Sequence, residues 1–247
     1  MKILSIWALL PVLLLATVPV HAGNDPEQQF TFAQGLCQRK MYALAIPELN
    51  KFLLANAKHP QAAAAAYLLG SCYFHLEDWD KAATAYARAL KQYPNNTAAD
   101  GARFALGQCY FQLEQFDKAA AAFSTLLTQS KDPKMLAQAQ YWLGESEFSR
   151  KRYSQAEAAY RAVIAKYPQS ELLSYAYYSL GMCAAEQGDI AAALNAFETV
   201  TRRFPQFEAL DEVRVMQGDA LRRLKRFPEA RAAYAPILAS ESTPALR

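Results

Sequence analysis

Residues 67–94 read YLLGSCYFHLEDWDKAATAYARALKQYP. Two helical phrases are visible, A and B, separated by the turn Leu76-Glu77-Asp78-Trp79. Phrase A carries a glycine, Gly70, in mid-helix, where glycine costs about 0.5–1 kcal/mol relative to alanine. Phrase B places Ala82 twelve residues after that glycine, Tyr86 sixteen after and Ala89 nineteen after. Small residues at Gly70 and Ala82 allow the two backbones to cross closely, and Tyr86 reads as a large plug between one unit and the next. Pro94 cannot sit inside a helix, so it ends phrase B and frees the chain to start another phrase A.

The phrase recurs. Gly35, Gly70, Gly107, Gly144, Gly181 and Gly218 are six of the nine glycines, spaced by 35 once and by 37 four times. Ala119, Ala156, Ala193 and Ala230 repeat the Ala82 position; Phe123, Tyr160, Phe197 and Tyr234 repeat Tyr86; Pro168 and Pro205 repeat Pro94. Self-similarity at this period predicts a repeat array in which each unit contacts mainly its neighbours. Alanine runs (62–66 and 119–122) favour helix, alternating β-branched runs are missing, and 53% apolar residues supply ample material for a core.

The repeated unit resembles the tetratricopeptide repeat over nearly the whole chain beyond its first segment. The resemblance implies an all-α, right-handed superhelical solenoid of about six helix pairs with period 37, longer than the usual 34. Its long repeats with Tyr-Pro or Phe-Pro endings are also similar to those of two bacterial envelope families: the periplasmic cell-division coordinator of the Tol–Pal system and the helical lipoprotein of the outer-membrane barrel-assembly machinery. The N-terminal coiled coil of the first is absent from the sequence.

Three departures from the phrase carry expectations. With Gly35 as its anchor, the first copy has a turn two residues shorter, and Ala45 rather than Pro47 takes the crossing position. Asp25 and Pro26 suit the cap and first turn of its helix A. The linker before the fourth copy, Lys131-Asp132-Pro133, looks slightly longer than the others.

Residues 1–22 are a different text. Lys2 precedes an uncharged apolar stretch, 3–20, and Val20-His21-Ala22 offers a small-residue cleavage site. This reads as a secretory signal peptide, Pro11 and Pro19 counting against a membrane anchor. Gly23, not a lipidated cysteine, follows the cut. Residues 23–240 then form the repeat array and 241–247 a short tail, and the mature protein is expected in the periplasm. The chain holds 26 Lys and Arg against 23 Asp and Glu, and loss of Lys2 removes one basic residue. So mild a balance gives no case for nucleic acid.

Cys37, Cys72, Cys109 and Cys183 each lie two residues after a marker glycine, so they read as one repeated slot holding four buried free thiols. Equivalent helices roughly 8–10 Å apart would be too distant for bridges, which need Cα atoms within about 7 Å. His59 and His75 are isolated, and the sequence has no zinc-type cysteine pair, phosphate loop or nucleophile elbow. Adjacent carboxylates such as Asp211 and Glu212 do not face each other on a helix. An enzyme, a cofactor and a metal are therefore not expected.

In the resembled family helix A lines the concave side, and the positions three before, one after and four or five after the marker glycine open into it. These are Phe32, Arg39 and Lys40; Tyr67, Ser71, Phe74 and His75; Phe104, Gln108 and Phe111; Tyr141, Glu145 and Phe148; Tyr178 and Met182; Asp219, Arg222 and Arg223. Central aromatics with arginine at the rim suit a groove that holds a peptide of a cell-envelope protein. The same rings at helical spacing also suit packing between neighbouring helices, above all Tyr67, Phe104, Tyr141 and Tyr178, with Phe74, Phe111 and Phe148 more open. Late basic residues from Arg202 to Arg231 leave peripheral contact with anionic lipid open. The end of the array, with little chain after Ile237 and Leu238 to cap it, leaves association through the last unit as the alternative function.

Overall fold

The structure of the chain is a computed structural model describing residues 25–241, with side chains through 238. The expected signal peptide and most of the short tail lie outside the described residues. Twelve helices follow one another: α1 (Pro26–Gln38), α2 (Tyr42–Ala55), α3 (Ala62–His75), α4 (Trp79–Gln92), α5 (Ala99–Gln112), α6 (Phe116–Gln129), α7 (Pro133–Ser149), α8 (Tyr153–Lys166), α9 (Leu173–Glu186), α10 (Ile190–Arg203), α11 (Leu210–Arg223) and α12 (Phe227–Glu241). No strand occurs among the described residues. Each helix packs on the one before and the one after, giving a solenoid of six pairs.

Close packing where the helices of a pair cross explains the glycines. A Cβ added to Gly70, Gly107, Gly144 or Gly181 would lie 2.5–2.6 Å from a ring atom of Tyr86, Phe123, Tyr160 or Phe197. Only a residue without a Cβ admits the plug, which offsets the helix cost of glycine. Ala82, Ala119, Ala156, Ala193 and Ala230 are all buried against the same crossing. Tyr93, Tyr167 and Phe204 cap the C-termini of α4, α8 and α10, and the following prolines hold the exit. Asp25 accepts from the Glu27 N–H with Pro26 in the first turn of α1.

The first unit has the same length as the others. The residue that ends each odd helix in a left-handed conformation recurs at Lys40, Glu77, Glu114, Lys151, Gly188 and Lys225, always 37 apart. Even helices begin at Tyr42, Trp79, Phe116, Tyr153, Ile190 and Phe227 on the same step. The first turn is thus not two residues short. Gly35 is off the ruler: a Cβ there would meet nothing within 4 Å. Ala33, fully buried, is the crossing residue of α1, Leu49 is the plug, and Ala45 does hold the Ala82 position. The linker before α7 is also not longer. Asp132 caps α7 by accepting from the Lys134 N–H, and Pro133 starts the helix early, so the linker is shorter than the others at an unchanged period.

Candidate interaction groove

Direct contacts between like helices run along the odd series: α1–α3, α3–α5, α5–α7 and α7–α9. Among the described residues no contact of that extent joins two even helices. Odd helices lie closer together, so the array curves with them on the inside. Gln34, Ala64, Leu68, Ser71, Asp100, Gly101, Asp132 and Met135, with the linker Asn96-Thr97-Ala98, line a hollow of about 800 Å³ on this side, reaching from α1 to α7. Its walls alternate aliphatic carbon with amide, hydroxyl and carboxylate groups.

The family positions are occupied in an orderly way. The slot three before the crossing residue has a packing role: Tyr67 is largely buried and donates to the Tyr93 carbonyl at 2.8 Å, tying α3 to the end of α4, while it also lines the hollow as the groove reading expects. Phe104 packs on Phe123, Tyr141 on Tyr160, and Tyr178 on Phe197, at ring separations of 5.7, 5.7 and 6.4 Å.

The slot four after the crossing residue was expected to be more open. Instead Phe74, Phe111 and Phe148 are half-buried and pack edge-on against the first ring of the following even helix. The pairs are Phe74–Trp79 at 5.1 Å, Phe111–Phe116 at 5.2 Å and Phe148–Tyr153 at 5.3 Å. They clamp the turn inside each pair, and Phe111 also meets Trp142 of α7. His75, the next residue, is exposed and stacks on Tyr42 of the preceding unit at 4.6 Å.

The slot one after the crossing residue follows the plug. Where the plug is tyrosine, its hydroxyl reaches a polar partner on its own odd helix: Tyr160 donates to Glu145 at 2.7 Å and Tyr234 to Asp219 at 2.8 Å. For Tyr86 the slot holds Ser71, and both line the hollow. Where the plug is Phe123 or Phe197, the slot holds Gln108 or Met182, and no hydroxyl needs a partner. Ser179 also donates to Glu145, at 2.9 Å, so this carboxylate is engaged within the array. Burial foremost, then the Glu145 charge, drives the Tyr160 and Tyr141 hydroxyls far above the ordinary tyrosine range.

The shifted frame of the first unit moves its groove positions two residues back. Phe32 and Arg39 leave the groove: both line a separate outer depression with Asp25, Thr31 and Gly35. Phe30 and Gln34 take the corresponding slots, and Lys40 is the left-handed turn residue. Arg222 and Arg223 are exposed at the end of α11, Arg222 lying 3.7 Å from Asp219. Gln34, Leu68, Asp100 and Met135 were missed or misplaced by the sequence pattern. Gln34 would have been found by anchoring the first unit on Ala33; Leu68 and Gly101 lie two and six residues before a marker glycine, one helical turn further toward the N-terminus.

The model of the tetratricopeptide repeat matches residues 30–97, 104–171 and 178–245. The chain belongs to the tetratricopeptide repeat family. No curated protein matches it significantly. Among solved structures this tetratricopeptide repeat protein is similar to MamA, with 25% identity, 70% of this chain and 94% of that chain covered, and a TM-score of 0.61. It is also similar to PilW, described as a widely conserved type IV pilus biogenesis factor, with 18% identity, coverage of 91% and 97%, and a TM-score of 0.64. YrrB, described as a repeat protein with an unusual peptide-binding site, gives 20% identity, coverage of 81% and 92%, and a TM-score of 0.63. These likenesses agree with the all-α solenoid of six helix pairs. No helix among the described residues is long and apolar enough to cross a membrane.

Proposed function

We propose that the chain is a non-catalytic interaction scaffold, exported to the periplasm, that holds a peptide segment of a cell-envelope protein against the inner side of α1 to α7. The carrying observation is the hollow spanning four odd helices, with Leu68 and Met135 as apolar wall and Gln34, Ser71, Thr97 and Asp100 as polar groups. Such a mixture holds an extended or helical segment by burying apolar side chains while pairing its backbone. Membership of a family of protein-binding repeats supports this reading, as does the peptide site ascribed to YrrB. Lys2, the apolar stretch 3–20 and Val20-His21-Ala22 support export.

Gly101→Arg tests the groove. Gly101 is exposed, and an added Cβ would meet nothing within 4 Å, so arginine fills the hollow without touching the core. Capture of partners from a fractionated envelope should fall at least about tenfold, while Arg88→Glu on α4, across the array, leaves it unchanged. Equal capture by the wild type and Gly101→Arg would remove the groove from the proposal. Appearance of a fused reporter in the cytoplasmic fraction alone would remove the export.

A second reading, association through the last unit, draws on Phe227, 61% exposed at the start of α12. Sedimentation of the wild type and Phe227→Asp separates it: a self-association lost in the variant supports it, and a monomer at all concentrations refutes it.

A further inference from the structure

Cys37 does not share the slot of the other cysteines. In the frame anchored on Ala33, Gly35 takes the position that Cys72, Cys109 and Cys183 hold in later units, and Cys37 takes the position of Phe74. The two cysteines are therefore not equivalent points on parallel helices, and the expected spacing of equivalent helices does not separate them. Their sulfurs lie 3.3 Å apart across the α1–α3 contact. A covalent S–S bond is about 2.05 Å long, so an approach of roughly 1.2 Å would close it. Cys109 and Cys183 are fully buried, and the structure brings no other sulfur against either among the described residues.

We propose that Cys37 and Cys72 form a dithiol–disulfide site that staples the first helix pair to the second. The oxidant is a small-molecule or protein disulfide, RSSR. Cys37 is only partly covered, whereas Cys72 is 1% exposed, so the external disulfide meets Cys37 first. The Cys37 thiolate attacks one sulfur of RSSR, forming a Cys37–S–S–R bond and releasing RS⁻, which takes up the proton that Cys37 lost. Cys72 then gives up its proton, attacks the Cys37 sulfur and expels the second RS⁻, which is protonated in turn. Two protein thiols are oxidised by two electrons in all, and RSSR is reduced to two RSH. Burial first, and then the adjoining Cys37 sulfur, raise the Cys72 thiol above the ordinary range, which suits it to resolve the mixed disulfide rather than to attack first.

The bridge has structural meaning because, among the described residues, the first unit packs on the second alone. End units of a repeat array lose structure first, since half of their interface is missing. A bond between sequence positions 35 apart holds α1 on α3 even when α2 opens. This site is independent of the groove reading: it lies between α1 and α3 whatever the array binds.

The test equilibrates the full chain with oxidised glutathione, quenches it in acid, alkylates it under denaturing conditions and maps it without reduction. The expected product is lighter than the reduced chain by two hydrogens. It retains two alkylatable thiols, at Cys109 and Cys183, and yields a peptide pair joining Cys37 to Cys72. Cys72→Ser should instead trap glutathione on Cys37, and Cys109→Ser should bridge as the wild type does. In the bridged chain, amide exchange across α1 should slow relative to the reduced chain. Four alkylatable thiols after this treatment, glutathione held on Cys37 of the wild type, or a bridge to Cys109 or Cys183 would each overturn the proposal. The wild-type map decides the matter even if a serine variant folds poorly.

Discussion

Gly144 lies directly beneath the ring of Tyr160, so closely that a Cβ on Gly144 would come within 2.5 Å of Cε1. The ring is fully buried and its hydroxyl is fixed on Glu145, so it cannot tilt away without breaking that bond. Gly144→Ala should therefore lower stability by about 1–3 kcal/mol despite alanine's better helix propensity. Gly35→Ala should do the reverse, raising it by up to about 0.5–1 kcal/mol, because Gly35 is helical, in the last turn of α1, with open space around it. Urea unfolding of both variants checks the pair. Equal effects of one sign would show that the crossing is not where Gly144 sits.

Phe111 touches both Phe116 and Trp142, joining its own turn to the next unit. Phe111→Ala should cost about 2–4 kcal/mol. Phe32→Ala, on an exposed ring, should stay within about 0.5 kcal/mol. A thermal melt unchanged by Phe111→Ala would return this ring to the role of a binding contact.

Five of the six turn residues in the left-handed region are Lys or Glu, and Gly188 alone is glycine. Side chains pay about 1–2 kcal/mol there. Glu114→Gly should thus stabilise the chain by up to about 1 kcal/mol, and Gly188→Ala should destabilise it by a similar amount. Chemical denaturation reads both, and a stabilising Gly188→Ala would contradict the turn geometry.

Stability should fall in alkali. Burial raises the folded-state pKa of Tyr86, Tyr141 and Tyr160 above the ordinary tyrosine value of about 10. Their contribution is complete below pH 10 and is lost as pH climbs from there toward the folded values, because the unfolded chain releases those protons first. Burial likewise pushes Cys109 and Cys183 from 9.0 up to about 12, adding a loss that begins near pH 9. Each group changes stability by about 1.4 kcal/mol per pH unit within its window. Tyrosinate absorbance and helical circular dichroism followed together should show one set of tyrosines ionising only as helix is lost. Complete ionisation with intact helix would refute this.

The helical architecture was legible because its determinants are local and periodic. Gly70, Ala82, Tyr86 and Pro94 each solve a packing or termination problem within one unit, and the same solutions recur along the chain. The first unit misled because glycine was the only visible marker. Ala33 does the work of glycine beneath the smaller plug Leu49, where a Cβ is tolerated, while Gly35 happens to stand two residues away. The aromatic rings were legible as packing or groove, and sequence could not separate the two.

By itself the sequence determined the period, the helix pairing and the crossing residues from Gly70 onward, since these depend on contacts inside a repeat that its own spacing records. Tertiary structure alone decided the frame of the first unit, the turn-clamping role of Phe74, Phe111 and Phe148, and the meeting of Cys37 with Cys72. Those outcomes depend on how one helix pair is rotated and translated onto its neighbour, and that relation is set by summed side-chain volume across the interface, which no single position along the chain encodes.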